Sequence, residues 1–135
     1  MMAPLATMGD TMKKLAASMM FASLATITGP ATAQPGAIES YTARLSSLDH
    51  FNSSGQRLRT VAGILRQDRA NVHRFGRADG EDEGDRYFSS ATNRAALENL
   101  ILRGHVTRAA ANAIINGEPL VRVTIYRGYV DVTVL

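Results

Sequence analysis

Three features of the sequence predict an α+β fold: a small antiparallel sheet, made of an N-terminal strand plus a C-terminal β-hairpin, covered on one face by about three helices. The first is a pair of alternating apolar runs, Leu120 to Tyr126 and Tyr129 to Leu135, on either side of Arg127-Gly128. The second is a long run of helical periodicity from Gln56 to about Phe75, and the third is a single alternating segment from Ser40 to Leu48. Period two places alternate side chains on opposite faces of a strand, and a recurrence at three and four places them on one face of a helix.

In chain order, Lys13 and Lys14 precede an apolar run from Leu15 to Ile27, then Gly29-Pro30 and Ala31-Thr32-Ala33. A positive end, an apolar run and small residues at Ala31 and Ala33 are the three parts of a secretory signal peptide. The expected initiator is Met12, with residues 1–33 forming an N-terminal extension and signal peptide cleaved after Ala33. Residues 34–135 then form a single exported domain, secreted or periplasmic, with a bacterial look to its short signal. The run is about half of the roughly 20 apolar residues that a spanning helix needs, so no permanent membrane anchor is expected.

Composition narrows the chemistry. The 135 residues are 45% apolar and 20% charged, with no Cys and no Trp. A disulfide scaffold, a cysteine zinc site and a thiol nucleophile are excluded for want of a cysteine thiol. Both lysines lie in the signal, leaving 13 Arg against 11 acids after Ala33. That near balance gives no reason to expect nucleic acid as a partner.

In the exported part, Tyr41, Ala43 and Leu45 alternate with Ser40, Thr42, Arg44 and Ser46, the pattern of a strand. Asn52-Ser53-Ser54-Gly55 is a turn cluster expected to cap the long helix. Within that helix Leu58, Val61, Ala62, Ile64, Leu65 and Val72 share one side, and Asp68 projects among them. A buried carboxylate needs a partner, so Asp68 is expected to accept hydrogen bonds from an Arg or from loop amides. Gly76 to Asp85 reads as a loop. A second helix is expected from Ser89 or Ser90 to Arg103, with Ala91, Ala95, Leu97, Leu100, Ile101 and Leu102 buried and Gly104 as a left-handed cap. A third runs from Arg108 to Ile115 under a Thr107 cap, and Asn116-Gly117 and Pro119 end it. In the hairpin, Ile125 should face Val130, Val123 should face Val132 and Val121 should face Val134, with a type I turn and a bulge at Gly128.

Catalytic motifs are missing: no Gly-x-Ser-x-Gly, no His-Glu-x-x-His, no phosphate-binding Gly-Lys-Ser loop. No cofactor is implied. Four groups of residues carry what chemistry there is. Arg59, Arg66 and His73 line one helix stripe and could hold an anion or an acidic partner, although a solvated face neutralised by the acidic loop is the expectation. Tyr126 and Tyr129 sit on the polar hairpin face as a second contact candidate. Asp79, Glu81, Glu83 and Asp85 could hold calcium, but the twelfth position of that loop is Ser90 rather than the bidentate Glu an EF-hand needs. Asp49-His50 is the remaining acid-base pair, the centre of a small hydrolase if there is one; Asp68 and His73 lie about 140° apart on a helix and do not meet. The leading expectation is a small exported, non-catalytic protein acting through its surface on another protein or an envelope component. Divalent cation binding through 79–85 is the alternative.

Overall fold

A computed structural model of the chain describes residues 36–135. The reading of residues 1–33 as extension and signal peptide, with its start at Met12 and cleavage after Ala33, lies outside the described residues.

The order of elements is β1 (Ala37–Arg44), a 3₁₀ turn (Ser47–His50), α1 (Val61–His73), a 3₁₀ turn (Tyr87–Ser89), α2 (Ala91–Ala95), α3 (Leu97–Arg103), α4 (Arg108–Asn116), β2 (Leu120–Tyr126) and β3 (Tyr129–Val134). β2 lies between β1 and β3 and is antiparallel to both, giving the small open sheet of an α+β fold. Val121 pairs with Val134, Val123 with Val132 and Ile125 with Val130, as the alternation requires. Tyr41 and Ala43 pair with Val123 and Val121. That face meets Ile64, Leu65, Phe88, Leu97, Leu100 and Ile114, all buried. Burying each such aliphatic side chain contributes roughly 1.5–3 kcal/mol, which is what holds four short helices against three strands.

Local departures from the expected elements have identifiable causes. β1 ends at Arg44 rather than Leu48, because the Asp49 carboxylate accepts from the Ser46 amide at 3.0 Å and folds Ser47–His50 into a tight turn. The helix begins at Val61, not Gln56. Asn52 Oδ1 accepts from the amides of Ser54 and Gln56, and Phe51 bridges Arg57, so Asn52–Gly55 closes a small loop of its own. The helix cap is instead Thr60, whose hydroxyl accepts from the Gly63 amide at 3.0 Å. The second predicted helix is two, broken at Ala96; Ala91, Ala95 and Leu102 face solvent, with Leu102 76% exposed.

Gly104 is needed for space rather than for a left-handed turn: its φ is −98°, and a Cβ there would overlap the Val130 carbonyl oxygen. The chain from Gly104 runs beside β3, with the Val132 amide donating to the His105 carbonyl at 3.0 Å. At the hairpin tip Gly128 has φ +86°, Arg127 does not have positive φ, and Tyr126 pairs directly with Tyr129. Those signs are those of a type II turn, and no bulge interrupts the register.

Candidate functional site

α1 divides the molecule's charge. Toward the sheet it carries Asp68 and Arg69, both fully buried. Arg69 Nε donates to Asp68 Oδ2 at 2.7 Å, and its Nη1 donates to Asp85 Oδ1 at 2.9 Å and to the Glu83 carbonyl at 3.0 Å. Its guanidinium also lies 4.0 Å from the centre of the Tyr41 ring. The expectation that Asp68 finds an Arg is met by its own neighbour in sequence. Burial, the larger influence, still pushes the Asp68 carboxyl up to about 7, against the pull of Arg69. Asp68 Oδ1, Arg69 Nη2 and the Tyr41 hydroxyl are buried without a hydrogen-bond partner among the described residues. Asp85 behaves oppositely. Burial raises its carboxyl, but bonds from His73, the Phe88 amide and Arg69 outweigh that and hold it below the usual range.

The acidic segment does not form a shared ligand set. Glu81 pairs with Arg44. Glu83 pairs with the edge of β1, its amide donating to the Thr42 carbonyl at 2.8 Å and its carboxylate accepting from the Thr42 amide. Asp82 accepts from the Arg44 amide at 2.8 Å. Asp85 points inward to Arg69 and His73, whereas Asp79 contributes its amide to Asp82. Among the described residues no three His, Asp or Glu side chains come together in a way that could hold a metal ion. Glu81, Glu83 and Asp85 are therefore turned to separate partners, the Arg44 guanidinium, the unpaired backbone of the β1 edge and the buried Arg69 with His73, while Asp79 engages Asp82 through its backbone.

Asp49 and His50 are likewise taken up by structure. Both are buried. Asn71 Nδ2 donates to Asp49 Oδ1 at 2.8 Å, and the two His50 ring nitrogens each lie 2.7 Å from a carbonyl oxygen, of Ser46 and of Ile114. Both ring nitrogens therefore face backbone carbonyls rather than solvent. The pair ties the first 3₁₀ turn to α1 and α4.

The predicted stripe comes apart. His73 turns to Asp85, while Arg59 and Arg66 are exposed. The acidic loop does not neutralise the arginines: among the described residues, Arg57, Arg59, Arg66, Arg74, Arg77 and Arg94 form no ion pair with a carboxylate. Four of these line a continuous cleft. One cavity of about 390 Å³ is walled by Leu48, Phe51, Phe75 and Arg77; a second, of about 450 Å³, is lined by Arg66, Arg74 and Arg94 with Ser53 and Ser54. They meet at Asn52, Ser53, Gln67 and Phe75, and among the described residues neither is lined by an Asp or Glu. Arg94 is buried, and its Nη1 donates only to the carbonyls of Phe88 and Ser89. Tyr126 and Tyr129 stack at 4.5 Å on the hairpin tip and line neither cavity.

Sequence reasoning missed Arg74, Arg77 and Arg94 and placed no weight on Phe51 and Phe75. A signal was present. Three and four residues on either side of Arg66 stand Ala62, Gly63, Arg69 and Ala70, and around Arg74 stand Ala70, Asn71, Arg77 and Ala78, so neither arginine has an acid within helical reach.

No family model, no curated protein and no solved structure matches the chain. Fold and cleft together define an α+β domain with an arginine-lined, carboxylate-free groove. Among the described residues no helix is long and apolar enough to cross a membrane.

Proposed function

We propose that the chain is a small exported, non-catalytic protein that acts by surface interaction, binding another protein or an envelope component through the arginine cleft. The observation that carries this reading is the set of uncompensated cations, Arg66, Arg74, Arg77 and Arg94, beside exposed Phe51 and Phe75. Arginine and aromatic side chains together are the composition of binding hot spots. A guanidinium is more weakly hydrated than an ammonium and presents a planar fork of donors, so an anionic partner displaces its water at low cost. Export rests on the signal-like N-terminus, and the non-catalytic assignment on the structural engagement of Asp49 and His50.

The test is capture from an envelope extract by the immobilised protein, its Arg66→Glu/Arg74→Glu variant and its Arg59→Glu variant. Arg59 is exposed but lines neither cavity. Loss of the captured component with the double variant and retention with Arg59→Glu is expected. Equal capture by all three refutes the cleft as the contact.

A further inference from the structure

Resting on that reading of the cleft, we infer that its occupant is an extended acidic peptide segment, one apolar side chain of which enters the first cavity while carboxylates meet the arginines of the second. Two kinds of surface adjoin here. Leu48, Phe51 and Phe75 are 56%, 39% and 41% exposed, and all three wall the first cavity. Apolar surface grouped in a concavity gains roughly 25 cal/mol for each Å² that a ligand covers. The second cavity offers Arg66 and Arg74, both exposed, and Arg94, a buried cation whose hydrogen-bond partners among the described residues are carbonyl oxygens alone. A buried cation without a counter-charge favours an anion brought to it.

The two surfaces are joined. The Arg74 guanidinium lies 5.1 Å from the centre of the Phe75 ring, so the aromatic wall of one cavity touches the cation of the next. A phosphate or a sulfated glycan supplies charge for the arginines but nothing to cover Leu48 and Phe51. A neutral apolar ligand does the reverse. A peptide carrying both acidic and apolar side chains satisfies both surfaces, and the open, two-part shape admits a chain rather than enclosing a small molecule.

The experiment is fluorescence anisotropy with the protein expressed from its full-length sequence and three labelled hexapeptides: one alternating Glu with Leu, one alternating Gln with Leu and one alternating Glu with Gly. The Glu/Leu peptide should bind at least tenfold more tightly than either control, and Arg66→Glu/Arg74→Glu should weaken it at least tenfold. Phe51→Ala should remove the preference for Leu over Gly. Because the controls vary the peptide, the assignment stays testable even if a protein variant misfolds. Equal binding of the Glu/Gly peptide, or binding of a sulfated glycan with none of the Glu/Leu peptide, overturns the peptide assignment and leaves the cleft standing. Absence of Glu/Leu binding overturns it too, and the extract capture then decides separately whether the cleft is the contact.

Discussion

Replacing Asp68 by Asn should flatten the dependence of stability on pH. The Asp68 carboxyl is fully buried, and one of its oxygens has no partner. Burial lifts it from an ordinary 3.8 to about 7, with Arg69 opposing only in part. A carboxyl that keeps its proton to a higher pH when folded makes the folded chain the better proton binder. Stability is therefore greatest below the unfolded value and falls as pH rises, until the folded carboxyl has ionised near 7. Each pH unit in that window is worth about 1.4 kcal/mol, so between pH 5 and 8 Asp68 alone removes on the order of 2–3 kcal/mol. Asp49, which burial raises to about 6, adds a decline of its own that the substitution leaves in place. Asp85 has the opposite sign: its carboxyl is held low, so its contribution is present above the unfolded value and lost only in stronger acid. Urea denaturation at pH 5, 6, 7 and 8 reads the difference. Relative to the unsubstituted chain, Asp68→Asn should gain about 2–3 kcal/mol across that range. Parallel curves would mean that Asp68 does not keep its proton in the folded chain, and the account of the buried cluster would fail.

Arg69→Met should cost about 3–5 kcal/mol at pH 8 by urea denaturation, since it leaves Asp68 and Asp85 buried without their shared guanidinium. The cost should shrink at pH 5, where Asp68 can hold a proton. Gly104→Ala should cost about 3 kcal/mol or more, because its methyl must displace the Val130 carbonyl, whereas Gly128→Ala, which meets no neighbour but sits at positive φ, should cost about 1–2 kcal/mol. Thermal melts compare the two directly. Millimolar calcium should leave the melting midpoint unchanged, since Glu81, Glu83 and Asp85 are committed to separate partners; a clear rise would show that they regroup around the ion.

How much of this was legible varied with the range of the interactions involved. The hairpin register could be read because β-branched residues at Val121, Val123, Ile125, Val130, Val132 and Val134 leave one arrangement with a continuous apolar face. Helix starts were less legible. Asn52 and Ser53 have the side chains of a cap, but the carboxamide of Asn52 closes a local loop and Thr60 caps the helix. Gly104 reads as a left-handed cap, and only the position of β3 shows that it is a close approach instead. The charge layout was the least legible part. Adjacent blocks of opposite sign in sequence suggest mutual neutralisation, yet Asp85 reaches back 16 residues to Arg69 while its neighbours turn to β1. Phe51 and Phe75 carry no signal of their own in the sequence, and only the fold brings them together on a cleft wall.

The diversion of the acids to the sheet edge also constrains how the protein can bind anything. An open three-stranded sheet has two edges, and an unprotected edge is itself a binding site for an extended chain. Here Glu83 and Asp82 occupy the hydrogen-bonding groups of Thr42 and Arg44 on β1, while Glu39 accepts from the amides of Arg86 and Tyr87. On β3, His105 takes the Val132 amide and Asp131 accepts from the His105 amide. Strand addition along these stretches would first have to strip off groups already bonded, several of them charged. A partner therefore gains more from surfaces whose charges are not yet matched. Using the acids to close the edge is what leaves Arg66, Arg74, Arg77 and Arg94 unmatched, so the edge protection and the cationic cleft follow from the same partition of charge.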